Sequence, residues 1–447
     1  MSNPSTSPSL KPSVTAFQAN YALAVFLLAY ILSFVDRQIL SLLVDPIKRD
    51  LGVSDLQMGL LQGLAFALLY AFLGVPVGLL ADRAVRKRII AGGVVFWSMA
   101  TALCGFAGNY ALLFAARMGV GMGEATLSPS AHSFLSDAFE PAKLARAMAI
   151  YSMGITLGGG MAYLIGGSVV EAVANADTTH LPLIGALRPW QMAFVIVAAP
   201  GALVALLVAL VKEPARRSLV DATDAAARPS LMAVVRYLAT HWRAFVPIYL
   251  TSSVLGVLGY SLSSWFPTLL IRNYDLSPGT AGLYMGAIYL VLGSAGSICG
   301  GLLSERLARM GRPEANLITV GVVSALAVIP GVVAPLLGIF WATLTLFGLL
   351  TFIFNGFFGS SIAAVQLATP NKMRATNSAI FLLVNNLFGL SLGAAAVPVI
   401  NAVLFDGSTN VGPAIALIAL VCCPISAVLA WWGLRPYRQL LMRNDRM

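Results

Sequence analysis

Two stretches read together decide the architecture: Gly78-Leu79-Leu80-Ala81-Asp82-Arg83-Ala84-Val85-Arg86-Lys87-Arg88 and, shifted by 223 residues, Gly301-Leu302-Leu303-Ser304-Glu305-Arg306. The same ungapped shift lays Ser54 on Ser277, Gly59 and Leu60 on Gly282 and Leu283, and Gly63 on Gly286. Further on, Pro141 with Arg146 has a counterpart in Pro370 with Arg374, at slightly different offsets. The shift is half of the 447-residue chain, so the sequence reads as an internal duplication.

The repeats lie in apolar surroundings. Residues are 58% hydrophobic and 10% charged, and the mean hydropathy is +0.84. This excludes a soluble chain, and with it secreted enzymes, nucleic-acid-binding modules and disulfide scaffolds, because no polar stretch is long enough to fold alone. About 20 apolar residues cross a bilayer as a helix. Twelve stretches qualify, numbered here as helices 1 to 12: 19–43, 56–80, 88–108, 111–136, 144–170, 190–211, 244–265, 279–303, 315–336, 338–367, 375–402 and 411–434. The expected fold is an all-α membrane protein, twelve transmembrane helices in two pseudo-symmetric six-helix bundles. The bundles span 19–211 and 244–434, joined by a cytoplasmic linker at 212–243. A disordered tail, 1–18, and a second tail, 435–447, flank them on the cytoplasmic side. Parallel repeats of this kind belong to two-bundle secondary transporters, which hold substrate between the bundles near the midplane.

Twelve crossings put both termini on one side. Of the 28 Lys and Arg residues, Lys48, Arg49, Arg188 and Arg272 fall in the opposite loops and Arg37 and Arg117 within helices; the others lie on the terminus side. By the positive-inside rule the termini are cytoplasmic. The net charge of +10 is therefore a topology signal that also favours anionic membrane lipids, and no nucleic acid is needed to explain it.

The run from Gly78 to Arg88 resembles the signature loop between helices 2 and 3 of the major facilitator superfamily, with Val85 in place of the usual second glycine. Arg117-Met118-Gly119-Val120-Gly121-Met122-Gly123-Glu124 is similar to a second motif of that superfamily. The finer resemblance is to its spinster-like branch. It is carried by Val35-Asp36-Arg37, Leu51-Gly52-Val53-Ser54, Gly59-Leu60-Leu61, Phe96-Trp97-Ser98 and Gly121-Met122-Gly123-Glu124-Ala125, and covers about residues 20 to 435. The resemblance implies the major facilitator fold, alternating access, and transport of lysophospholipids, sphingosine phosphates or related amphipathic molecules, with proton coupling in several members. It implies a bacterial inner membrane location and a monomer. Asp82 is expected to accept hydrogen bonds from the amides that begin helix 11, so Gly78, Asp82 and Arg83 are candidate gating residues, with Arg86, Lys87 and Arg88 as interfacial anchors. In helix 5, Ala162-Tyr163 stands where antiporters often carry Gly-Pro, which leaves the direction of coupling open.

Within the helices lie Asp36, Arg37, Arg117 and Glu124. Each costs roughly 2.5 to 3.5 kcal/mol to insert at a helix centre. Asp36 and Arg117 fall at similar depths, roughly 10 Å below the surface away from the termini, where they can meet. Glu124 lies seven residues on from Arg117, two turns deeper on nearly the same face. Two readings stand: static salt bridges between helices 1 and 4, or a proton relay whose carboxylates respond to the approach of a guanidinium. Arg37 and Glu124 are also candidates for substrate contact. The second bundle offers neutral polar and aromatic groups: Tyr260, Ser261, Ser263, Ser264 and Trp265 in helix 7, Asn355 and Phe358 in helix 10, Asn385 and Asn386 in helix 11. This wall suits an amphipathic small molecule, although such residues also serve as interhelical glue. Gly154, Gly158, Ala162 and Gly166 form a small-residue stripe that packs a neighbouring helix and provides a seam for the rocking bundles.

The alternatives are an uptake symporter or exporter of a small organic anion or drug and, from another class, a channel or membrane receptor. No enzyme is expected: His132, His180 and His241 are widely separated, no metal-binding or nucleotide-binding motif occurs, and no cofactor is implied.

Overall fold

A computed structural model of the chain describes residues 14–81, 84–174, 179–181, 185–215, 231–370 and 373–444. Most of the N-terminal tail and the middle of the linker lie outside these residues, as do Asp82 and Arg83 of the signature loop.

Eleven helices among the described residues are long and apolar enough to span a membrane. The twelfth crossing is helix 4, divided into Tyr110–Glu124 and Leu127–Ala138. The division has a chemical cause. Pro129 has no N–H to offer the Ala125 carbonyl, and the turn tightens as Thr126 donates both its amide (3.2 Å) and its hydroxyl (2.8 Å) to the Gly123 carbonyl. Between helices 5 and 6 a short antiparallel hairpin pairs Thr179–Leu181 with Gly185–Leu187. Within the segment read as a linker, Leu231–Thr240 forms a helix, and its Tyr237 hydroxyl donates to the Ala368 carbonyl at the end of helix 10.

The repeated residues occupy equivalent places. Ser54 and Ser277 are the N-caps of helices 2 and 8, accepting from the amides of Gln57 and Thr280. Gly59 and Gly63 of helix 2 lie against helix 11, where a Cβ on either would come within 2.6 Å of the Ala394 carbonyl or 2.5 Å of the Leu390 carbonyl. Their counterparts Gly282 and Gly286 of helix 8 lie against helix 5 in the same way, 2.6 Å from the Tyr163 carbonyl and 2.8 Å from that of Gly160. Two glycine seams thus close the bundles together on the side away from the termini. The stripe Gly154, Gly158, Gly166 does not form such a seam. It receives Tyr30, Phe34 and Ile39 of helix 1 within the same bundle, and the inter-bundle face of helix 5 is instead Gly160, Leu164 and Gly167.

At the terminus-side ends each bundle carries a charged clasp. Arg86, 1% exposed at the start of helix 3, binds Glu213 beyond helix 6 (2.7 Å) and Asp137 at the end of helix 4, while the Glu213 carboxylate caps the amides of Arg86 and Lys87. Lys87 donates to the Ala209 and Val211 carbonyls. Neither residue is a simple interfacial anchor, because both hold helix ends inside the bundle. In the second half the signs are exchanged: Glu314, buried before helix 9, faces Arg438 near the end of helix 12 at 3.8 Å.

Candidate functional site

Helix 1 delivers two adjacent side chains, about 100° apart around its axis, toward helix 4. The long side chain of Arg37 reaches down to Glu124, its Nη2 at 2.5 Å and Nε at 2.6 Å from the same carboxylate oxygen. The guanidinium is caged by aromatic faces, with ring centroids of Phe66, Tyr70 and Phe34 at 4.6, 5.0 and 5.1 Å. Glu124 closes the first half of the divided helix, is 2% exposed, and has its second oxygen without a hydrogen bond among the described residues.

Asp36 and Arg117 are both 1% exposed and at matching depth, yet they do not form the expected carboxylate pair. Arg117 Nη1 donates to the main-chain carbonyl of Asp36 at 2.9 Å, and neither carboxylate oxygen of Asp36 has a hydrogen-bond partner among the described residues. Depth follows from residue count, but helix rotation decides which group of a residue is met. A buried carboxylate without hydrogen bonds is costly while charged.

The second bundle supplies fewer open groups than expected. Tyr260 is half-buried, and its hydroxyl donates to Asn386 Oδ1 at 3.3 Å; Phe358 is half-buried beside Phe357. Trp265 is fully buried and donates its indole N–H to the Ala394 carbonyl at 2.7 Å, so here it fastens helix 7 to helix 11 and does not line a cavity. Ser261 does the same through the Gly393 carbonyl at 2.7 Å. Asn385 is buried near Gly256, its side-chain oxygen without a hydrogen bond among the described residues, and Asn355 returns a bond to the Thr351 carbonyl at 2.8 Å, beside Gly293.

The far-side closure contains a latch that the sequence reading passed over. Arg272, at the end of helix 7, holds two carboxylates of the other bundle: Asp45 (2.7 Å) in the interfacial helix Val44–Leu51, and Asp55 (2.9 Å) at the start of helix 2. Lys48 also binds Asp55, at 2.6 Å. Glu171 on helix 5 accepts from the Gly279 amide at the start of helix 8, and the Tyr163 hydroxyl donates to the Ser263 carbonyl at 2.6 Å. Their signal was Arg272 itself, one of only four cations in the far-side loops. Of the inner-gate candidates, Gly78 is half-buried near Pro129, while Asp82 and Arg83 lie outside the described residues.

Two six-helix bundles, sealed on one side around a buried charge cluster, define a two-bundle membrane transporter. Residues 26–394 match the family model of the Major Facilitator Superfamily. The chain belongs to that superfamily and to its spinster-like branch. An MFS-type efflux pump of Mycolicibacterium smegmatis is 30% identical over 434 residues, 95% of each chain. Protein spinster homolog 1 of Xenopus laevis is 27% identical over 449 residues, 91% of this chain and 78% of that one. A crystal structure of a bacterial homolog to the human lysosomal transporter spinster, inward-facing and unoccupied, superposes with a TM-score of 0.75 at 25% identity, covering 97% of this chain and 98% of the other.

Proposed function

We propose that the chain is a proton-coupled secondary transporter that moves a lysolipid-like or sphingolipid-like molecule by alternating access. In this reading it works as a monomer in a bacterial inner membrane, with both termini cytoplasmic. The observation that carries the coupling is the Asp36 carboxylate, buried without a hydrogen bond beside Arg117, Arg37 and Glu124. Proton uptake there changes the charge of the cluster and hence the preference between bundle arrangements. The aromatic cage around Arg37 supports an anionic head joined to apolar matter. Basic residues concentrated on the terminus side support the orientation.

A second reading, export of a small organic anion or drug, is favoured by the likeness to the mycobacterial efflux pump. Proteoliposomes with an imposed pH gradient separate the two. Flux of a labelled lysophospholipid that follows the gradient and is lost in Glu124→Gln supports the first reading. Gradient-driven flux of small anions alone supports the second, and lysolipid flux indifferent to the gradient removes proton coupling.

A further inference from the structure

The helix Leu231–Thr240 and the start of helix 7 enclose an open groove of about 350 Å³, lined by apolar side chains that include Val235, Leu238, Trp242, Phe245, Val246 and Leu250. Val235, Trp242 and Leu250 are each nearly half exposed, an apolar surface beside a basic segment. Arg236 and Arg243 are exposed at its borders, and the Arg243 guanidinium lies 5.6 Å from the Trp242 ring. No acidic residue occurs between Leu231 and Tyr274. The chemistry is that of an acyl-chain slot with a cationic rim.

One face of helix 7 leads from the groove toward the candidate site. Trp242, Val246, Tyr249, Ser253 and Tyr260 recur at steps of four, three, four and seven residues, which places them along one stripe of helix 7. That stripe runs from the terminus-side mouth to Tyr260, one of the candidate residues of the second bundle. We propose that the groove is a docking site where a single-chain anionic amphiphile enters from the terminus side, its chain in the groove and its phosphate at Arg236 and Arg243, before moving along helix 7. This rests on the amphiphile reading of the preceding section.

The test uses the full-length chain in nanodiscs and bromostearoyl lysophosphatidylglycerol as a quencher of Trp242 fluorescence, with Trp242→Phe as the baseline for the other tryptophans. Saturable quenching is expected, with half-saturation raised about tenfold in the Arg236→Gln/Arg243→Gln variant. Glycerol phosphate alone should not compete, whereas unbrominated lysophosphatidylglycerol should. Equal quenching by two-chain brominated phosphatidylglycerol would overturn the proposal in favour of an ordinary bilayer lipid. Equal quenching by brominated lysophosphatidylcholine, or none by any lipid, would also overturn it. The last comparisons need only the parent chain, so they stand even if the arginine variant misfolds. Lysolipid flux without Trp242 quenching defeats the docking site alone, and quenching without flux defeats the transport reading alone.

Discussion

Arg117 donates to the main-chain carbonyl of Asp36 at 2.9 Å and leaves that residue's carboxylate without a hydrogen bond. The two acids of the cluster therefore differ. Glu124 is half of a close ion pair, while the Asp36 carboxylate is buried with no ion-pair partner in direct contact among the described residues.

Their amide variants should separate on stability. Glu124→Gln breaks a buried pair and is expected to cost about 3 to 5 kcal/mol. Asp36→Asn should leave the melting temperature unchanged or raise it. Both should uncouple flux from an imposed pH gradient. In double-mutant cycles, Arg37 with Glu124 should show a larger coupling energy than Asp36 with Arg117. An Asp36→Asn variant that melts as low as Glu124→Gln would mean that the carboxylate is tied down after all.

The far-side latch predicts a conformational shift. Arg272→Gln removes charge-assisted bonds to Asp45 and Asp55 and should raise the far-side-open population by roughly tenfold. Spin-label distances across the far ends of helices 2 and 8 would report it. Distances unchanged from the parent would reduce the latch to a surface contact.

Glycine substitutions test the seams. An alanine at Gly59 or Gly282 places its Cβ 2.6 Å from a carbonyl oxygen of the other bundle, so the seam must spread. Cysteine labelling from the far side should rise in both variants. Gly301 belongs to the same repeat but faces open space, with nothing within 4 Å of where a Cβ would stand, so Gly301→Ala should label like the parent.

Trp265 separates packing from recognition. Trp265→Phe leaves the Ala394 carbonyl unpaired, which should cost about 1 to 3 kcal/mol and lower the melting temperature. Substrate half-saturation should not change. A raised half-saturation at an unaltered melting temperature would return Trp265 to the binding wall.

The architecture was legible because a duplication leaves periodic marks: Ser54 and Ser277 cap, Gly59 and Gly282 seal, and both roles follow from residue type at fixed spacing. Depth was legible too, which brought Asp36, Arg37, Arg117 and Glu124 into one cluster. Rotation about the helix axes was not. That is why Arg117 finds a carbonyl in place of a carboxylate, and why the helix 5 stripe packs helix 1 of its own bundle and not the seam between bundles. The latch at Arg272 joins residues more than 200 positions apart, a pairing that no local pattern announces.

The exchanged signs of the two terminal clasps bear on how the halves tell each other apart during membrane insertion. Were one half to take up the other's last helix, the clasps would be crossed. Such a crossing would set Arg86 against Arg438 and Glu213 against Glu314, like against like, which disfavours it. Inverting the second clasp, with Glu314→Arg and Arg438→Glu together, would keep a pair but erase the distinction. The yield of correctly assembled chain should then fall, while the melting temperature of the fraction that does assemble stays near that of the parent.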